Sequence, residues 1–370
     1  MQRLAPLPIP PFYCPLPGAL HPQWEAVNRR SVEWLEEFGL FESRRQYERL
    51  VDARVGELVG RVSPRGGPEA LQVAADFYQW LFAFDDAYCD EGALGSRPEA
   101  LVVELARILR AAETPGNAAP DGEGYLDALR DLRLRLDRIA TPVQTNRWVE
   151  ALRGYFFFQV WEAANRSRGT IPTLDEYTVA RMQSGAVKAT MMLLDVAEGY
   201  ELPAAEMDHP LTRALTEMAC TVIDWDNDIA SHHKESLRSQ DHQNLRDILA
   251  HEHDLSQQEA LRRAIAMRDR VMVHFLRLKQ AADATESVAR SRYVTSLCDW
   301  IRGNLDWQVS TNRYRNPENP VVLESGFAER PSTELTDPLP IPSVQWWWDP
   351  GLLLPGHGER ECPMGGLRAG

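Results

Sequence analysis

Apolar residues recur every three or four positions along most of the chain between residues 22 and 314. This spacing matches the 3.6-residue turn of an α-helix and indicates helices with one apolar face. The predicted helices cover 22–42, 44–62, 68–91, 97–112, 123–139, 142–167, 174–199, 208–235, 256–285 and 287–314. We find no alternating β-branched runs, hairpin signals or internal repeats. The pattern therefore predicts an all-α fold, one compact helical bundle.

Proline and glycine are concentrated at the two ends of the chain. The first twenty residues hold six prolines, which excludes a helix there and predicts an extended strap over residues 1–21. The helical domain follows over 22–315. Residues 316–370 are rich in proline and glycine, which is typical of a poorly ordered tail. Three adjacent tryptophans, Trp346 to Trp348, leave open that part of this tail docks on the domain.

The composition excludes several classes of partner. The chain has 54 acidic and 40 basic residues and a net charge of −14, which argues against binding to nucleic acid or to an anionic membrane. No apolar run reaches the roughly 20 residues of a membrane span. The N-terminus lacks the layout of a signal peptide, and five scattered cysteines form neither a disulfide framework nor a zinc pattern. We therefore expect a cytoplasmic protein without stable membrane association.

Several carboxylates lie together at the end of an aromatic, apolar helix. Within residues 77–91, Asp86 and Asp90 share one helix face, and Asp85 lies beside them. Such a cluster near a helix C-terminus repels itself and opposes the helix dipole. Magnesium, which takes one or two carboxylates together with phosphate oxygens, would compensate this charge. A solvated acidic helix end is the alternative interpretation.

A second set of oxygen ligands lies in the predicted helix 208–235. Asn227, Ser231 and Glu235 are spaced by four residues and lie on one helix face. Amide, hydroxyl and carboxylate oxygens in a row suit a hard cation. Lys234, beside Glu235, could reach a phosphate group. A solvated polar face is the alternative, but it would open in a helix whose first half is strongly apolar.

The two motifs together resemble the paired metal motifs of bacterial class I terpene synthases. The matching residues are Asp85-Asp86-x-x-x-Asp90 and Asn227-Asp228-x-x-Ser231-x-x-Lys234-Glu235. Two further marks of that family match: Arg181, as the arginine that senses diphosphate, with Gly185 at a helix break; and Arg313-Tyr314, as the pair that grips diphosphate. The resemblance covers about residues 10–315 and implies the class I terpenoid synthase fold with a central cavity.

The resemblance also implies a reaction and its cofactor. The enzyme would ionise a linear prenyl diphosphate with Mg²⁺ and guide the carbocation to a cyclic product. Three ions are expected, two at Asp85 and a third at Asn227, Ser231 and Glu235. One extra residue in the first motif leaves open whether Asp86 or Asp90 is a ligand. Ser184 stands between Arg181 and Gly185, where many members of the family carry an acidic residue.

The expected cavity wall consists of aromatic and aliphatic residues: Phe77, Leu81, Phe82 and Trp307. Their bulk suggests a moderately tight cavity and favours farnesyl diphosphate and a sesquiterpene product. Geranylgeranyl diphosphate, and therefore a diterpene, is the alternative. A chain-elongating prenyltransferase would need a second aspartate-rich motif, and a non-catalytic prenyl diphosphate binder is the remaining alternative. A homodimer is possible.

Overall fold

A computed structural model describes residues 7–90, 92, 94–116, 124–238, 242–313 and 326–353, with residues 90 and 233–238 described by their backbone alone. Within these residues the fold consists of helices and connecting segments, and no β-strand occurs. The α-helices are α1 Trp24–Glu37, α2 Arg44–Asp52, α3 Val55–Val62, α4 Pro68–Phe84, α5 Pro98–Glu113, α6 Gly124–Ile139, α7 Pro142–Arg168, α8 Leu174–Ser184, α9 Val187–Met191, α10 Leu194–Ala197, α11 Ala204–Met207, α12 Pro210–Arg238, α13 Leu245–His253, α14 Gln257–Asp283 and α15 Val288–Ser310. A π-helical segment, Asp85–Asp90, continues α4, and two 3₁₀ segments, Pro342–Trp348 and Pro350–Leu353, lie in the tail.

The predicted all-α fold is confirmed, but the helix bounds differ from the prediction at three places. The predicted helix 44–62 is two helices, separated at Arg54, whose φ is +53°. The predicted helix 174–199 is broken after Ser184, where Ala186 has a φ of +60°. Helix α13 was not predicted, because its nine residues are too few to show a clear helical period.

Three helices follow residues whose side chains cap the helix start. Thr141, Thr173 and Ser256 each accept a hydrogen bond from the backbone N–H three residues later. The residue at that third position is Gln or Glu, and its side chain returns a bond to the cap residue's backbone N–H. These capping boxes satisfy two otherwise unpaired donors at each helix start and fix where α7, α8 and α14 begin.

The helices pack around a common core, with α12 against α14 and α15, and α7 against α5 and α8. Helix α3 approaches α1 closely at Gly56, where an added Cβ would overlap the backbone of Asn28. The Asn28 side chain accepts a hydrogen bond of 3.0 Å from the Gly56 backbone N–H. No helix in the described part of the chain is long and apolar enough to cross a membrane.

The N-terminal strap and the tail meet on the outer side of α14, in what we call the terminal clasp (residues 7–16 with 326–332). The backbone N–H of Ala328 donates to the carbonyl of Phe12 at 3.0 Å. Arg268 of α14 is fully buried; it donates to the carbonyl of Tyr13 and lies 5.3 Å above the Phe12 ring. Two bonds to Asp226, of 2.7 and 3.1 Å, balance its charge.

Further along the tail, Trp347 is fully buried against α12 and α14. Its indole N–H donates to Glu217 at 2.9 Å, and its carbonyl accepts a bond of 2.8 Å from His274. The ring of Trp348 stacks on His274 with 4.7 Å between the ring centres. Residues 326–353 are therefore packed on the helical domain.

Candidate active site

A cavity of about 650 Å³ lies between α4, α7, α8, α12 and α15. Aromatic and aliphatic side chains form one part of its wall, namely Tyr78, Leu81, Phe82, Trp300 and Trp307. Charged and polar side chains form the other part, namely Arg49, Asp85, Arg166, Arg181, Asn227, Ser231 and Arg313. The cavity therefore joins an apolar pocket to a region rich in arginine and in oxygen ligands.

The first acidic motif begins where α4 changes from an α-helix to a π-helix. Asp85 lines the cavity, and the Tyr155 hydroxyl donates to its carboxylate at 3.3 Å. In a π-helix each backbone N–H bonds to the carbonyl five residues earlier, so one turn holds an additional residue. This local change of helix type explains how a motif with one extra residue is accommodated. The Asp90 side chain lies outside the described part of the chain.

Asp86 is directed away from the cavity and is paired with arginine. Its side chain is 5% exposed and accepts a bond of 3.3 Å from Arg49 on α2. The guanidinium of Arg313, just after α15, lies 3.8 Å from the same carboxylate and 4.4 Å from the centre of the Phe82 ring. Asp86 thus connects two cationic side chains of the cavity wall. Tyr314 lies outside the described residues.

The second motif presents two of its three predicted oxygen ligands to the cavity. Asn227 accepts a bond of 2.9 Å from Arg181. Ser231 is buried, and its hydroxyl has no hydrogen-bond partner among the described residues. A buried hydroxyl without a partner is costly, which indicates that a group absent from the polypeptide completes its bonding. The side chains of Lys234 and Glu235 are outside the description.

Asp228 fixes the orientation of Arg181. Its carboxylate accepts a bond of 2.9 Å from Arg181 Nε, a bond of 3.0 Å from the Leu245 backbone N–H, and a further bond from the Tyr177 hydroxyl. Neither Asp228 nor Tyr177 was assigned a role from the sequence, although Asp228 belongs to the second motif. Asp228 lies on α12 and its partners on α8 and α13, so only the folded chain brings them together.

Asp224 is a further carboxylic acid of the cavity that the sequence motifs did not indicate. It precedes Asn227 by three residues and therefore shares the cavity-facing side of α12. Burial raises the pKa of Asp224 to about 8, although the nearby Arg181 opposes this shift. Its carboxyl group lies against Gly185, at the break between α8 and α9.

Of the four predicted wall residues, Leu81, Phe82 and Trp307 line the cavity and Phe77 does not. The Phe82 and Trp307 rings are stacked, with centres 5.8 Å apart. Phe77 is fully buried and packs edge-on against Trp148 of α7, with 5.1 Å between the ring centres. The cavity face of α4 runs through Tyr78, one position further along the helix, so the assignment of Phe77 is corrected.

Comparison with known proteins identifies the family. A family model described as terpene synthase family 2, C-terminal metal binding, matches residues 76–273. A germacradien-6-ol synthase of Streptomyces pratensis is 43% identical over 343 residues, which cover 92% of this chain and 96% of that protein. A (+)-T-muurolol synthase of Streptomyces clavuligerus, described as cyclizing (2E,6E)-farnesyl diphosphate, is 37% identical over 368 residues. The match covers 97% of this chain and 87% of that protein.

A solved structure agrees with the sequence relatives. The crystal structure of the SVS_A2 protein, obtained by ancestral sequence reconstruction, superposes with a TM-score of 0.84 at 34% identity and covers 93% of this chain and 99% of that chain. The protein is therefore a class I helical enzyme with a metal-binding domain. The chain belongs to the terpene synthase family, which confirms the family, the fold and the enzyme class predicted from the sequence.

Proposed function

We propose that this enzyme cyclises farnesyl diphosphate to a sesquiterpene and releases diphosphate. The observation that carries the proposal is the single cavity that joins arginines and oxygen ligands to a wall of aromatic rings. The (+)-T-muurolol synthase supports the substrate, because its name states that it cyclizes (2E,6E)-farnesyl diphosphate. The germacradien-6-ol synthase, at 43% identity, supports a cyclic terpenoid product.

The residues of the cavity fit magnesium. Asp85 and Asn227 offer oxygen atoms to the same cavity, and the unpartnered hydroxyl of Ser231 lies on the same face of α12 as Asn227. With Glu235, these residues would hold three Mg²⁺ ions, two at Asp85 and one at the second motif. Bound Mg²⁺ would supply positive charge that stabilises the departing diphosphate.

The arginines of the cavity would bind the diphosphate and favour its departure. When the carbon–oxygen bond breaks, its electron pair leaves with the diphosphate, and the negative charge there increases. Arg181 and Arg313 line the cavity and would stabilise that charge as it forms. We also assign diphosphate contacts to Lys234 and Tyr314, from the family motifs that they complete.

The aromatic rings would protect and guide the carbocation. The faces of Phe82, Trp307, Tyr78 and Trp300 carry partial negative charge, and they can stabilise a nearby cation. Their bulk also keeps water from the reactive carbon until a late step. Phe82 also lies 4.4 Å from the Arg313 guanidinium, so its ring adjoins a side chain that would bind the diphosphate.

The proposal is tested by incubating the purified enzyme separately with geranyl, farnesyl and geranylgeranyl diphosphates, with Mg²⁺ or with EDTA. Gas chromatography–mass spectrometry of the extract should show a cyclic C15 product from farnesyl diphosphate, lost in EDTA. Asp85→Ala and Asn227→Ala should abolish turnover with an unchanged circular dichroism spectrum, while Asp137→Ala on the surface of α6 should retain it. A product from geranylgeranyl diphosphate alone would overturn the substrate, and activity in EDTA would overturn the metal.

A further inference from the structure

Asp224 is a buried acid of the cavity with no part in either metal motif. Its side chain is 2% exposed and lines the cavity one helical turn before Asn227. Its Oδ2 atom has no hydrogen-bond partner among the described residues. A buried carboxyl oxygen without a partner is costly, so a neutral or apolar residue at this position would make the fold more stable. Its presence calls for a functional explanation.

The carboxyl group of Asp224 lies where Arg181 and the helix break meet. A Cβ atom added to Gly185 would overlap Asp224 Oδ1 and lie 2.8 Å from its Cγ. The same Cβ position is 3.1 Å from Arg181 Nη1. Asp224, Arg181 and the backbone of Gly185 therefore occupy one tightly packed point, and only glycine fits at position 185.

The hydrogen bonds of Arg181 use two of its three guanidinium nitrogens. Its Nε donates to Asp228 and its Nη2 to Asn227, each at 2.9 Å. Nη1 is the nitrogen beside Gly185. The Asp224 side chain is buried there, and the charge of Arg181 acts on its carboxyl, opposing the rise in its pKa.

Ser184, the last residue of α8 before the break, has too short a side chain to make the contact with Arg181 and Gly185 that Asp224 makes. Ser184 carries a hydroxyl that is buried without a partner among the described residues, and its carbonyl accepts a bond of 2.9 Å from Gln159. No acidic side chain of α8 follows Arg181 before the break, since its last residues are Met182, Gln183 and Ser184. The acid that faces the break comes from α12.

We propose that Asp224 is a positioning residue that couples Arg181 to the backbone of Gly185 during ionisation of the substrate. This inference rests on the proposed function. Diphosphate bound at Arg181 draws the guanidinium toward its own negative charge and changes the field at the Asp224 carboxyl. Since that carboxyl is packed on Gly185, the change passes directly to the backbone at the helix break, which forms part of the cavity wall.

The test compares Asp224→Leu and Asp224→Asn with the unmodified enzyme. Leucine keeps the approximate shape of the side chain and removes its polar atoms, whereas asparagine keeps an oxygen that can face Arg181. We expect Asp224→Leu to lower kcat with farnesyl diphosphate at least about 10-fold. Its affinity for inorganic diphosphate with Mg²⁺, measured by calorimetry, should stay within about threefold. Asp224→Asn should recover much of the lost kcat.

Asp226→Asn is the matched control, because Asp226 is a buried aspartate of the same helix that is paired with Arg268 instead of facing the cavity. It should lower the melting temperature and leave kcat nearly unchanged well below that temperature. Full kcat in Asp224→Leu would overturn the inference. So would equal losses of kcat and of diphosphate affinity, or equal kcat values for the Leu and Asn variants.

The outcome for the unmodified enzyme separates this inference from the proposed function. If the unmodified enzyme releases no diphosphate from farnesyl diphosphate, the proposed substrate is wrong. If the unmodified enzyme and Asp224→Leu are equally active, the proposed function is supported and the coupling role of Asp224 is wrong.

Discussion

Asp85, Asp86 and Asp224 lie within one small region, yet their surroundings give each a different role. Asp85 faces the cavity, Asp86 is paired with arginine, and Asp224 is packed against a backbone break. Each carboxyl group therefore meets a different set of partners. The differences lead to two predictions at the scale of single residues.

Removal of the Asp86 side chain should leave Arg49 and Arg313 less well positioned in the cavity wall, without changing the enzyme's requirement for Mg²⁺. Asp86→Ala would release Arg49 and Arg313 from their shared partner, so we expect about a 10-fold fall in kcat/KM. The Mg²⁺ concentration for half-maximal rate should stay as in the unmodified enzyme. A magnesium titration of the diphosphate-release rate checks this. The unmodified enzyme is the comparison, and a clearly raised Mg²⁺ requirement in Asp86→Ala would make Asp86 a ligand.

The raised pKa of Asp224 predicts a stability that depends on pH. The unfolded chain loses this proton near pH 4 and the folded protein near pH 8, so folding binds the proton and stability falls as pH rises between these values. Asparagine has no carboxyl group to lose a proton, so Asp224→Asn should remove this fall in stability with rising pH. In metal-free protein, its advantage in melting temperature over the unmodified enzyme should be about 5 °C larger at pH 8 than at pH 5. An equal difference at both pH values would contradict the prediction.

The sequence carried the ligand motifs but not the contacts that orient them. Helical spacing alone places Asn227 and Ser231 on one face of α12, and both line the cavity. The bonds from Asp228 to Arg181 and Tyr177 join residues about fifty positions apart. Such pairings depend on how α8 packs on α12, and no local pattern encodes that packing. Phe77 was misassigned for the same reason, because either face of α4 is apolar.

At the scale of helices, the apolar periodicity did not show the interruptions at Arg54 and Ala186, although the family resemblance placed a helix break at Gly185. Arg54 and Ala186 adopt left-handed backbone angles although neither is glycine, asparagine or aspartate. Tertiary packing imposes these angles, so the predicted helices 44–62 and 174–199 ran through them. The ends that were predicted well, such as the starts of α7 and α8, have capping boxes or a proline at the first turn.

The contact between α1 and α3 should tolerate no side chain at Gly56. A Cβ there would overlap the Asn28 backbone, which cannot move without shifting α1. We expect Gly56→Ala to lower the free energy of unfolding by about 2 kcal/mol or more, as measured by urea denaturation. Gly67→Ala is the matched control, because a Cβ at Gly67 meets no atom within 4 Å. Equal stability of the two variants would show that the helices separate easily.

At the scale of the whole molecule, the tail is part of the folded domain. The long helices and their breakers were readable in the sequence, but the docking of residues 326–353 was not. These residues have little periodicity, and their burial depends on individual side chains such as Leu339, Ile341 and Trp347. The tryptophan cluster was the one local indication, and it left docking and disorder equally open.

Trp347 should be the main anchor of this tail. Trp347→Ala removes a fully buried ring and its bond to Glu217, so we expect a loss of about 3–5 kcal/mol in unfolding free energy. Trp346→Ala should cost less than about 1 kcal/mol, since Trp346 is partly exposed and packs beside Arg213. Thermal unfolding followed by circular dichroism checks both. Similar losses for both tryptophans would contradict this order.

The terminal clasp bears on how the enzyme is made in the cell. Phe12 and Tyr13 leave the ribosome early, but their partners Arg268 and Ala328 are synthesised about 250 and 315 residues later. Throughout most of translation the strap therefore has nothing to bind, and its apolar residues stay accessible to chaperones. Docking of the strap in its final position becomes possible only after Arg268 and Ala328 have been synthesised, and it closes the chain over α14.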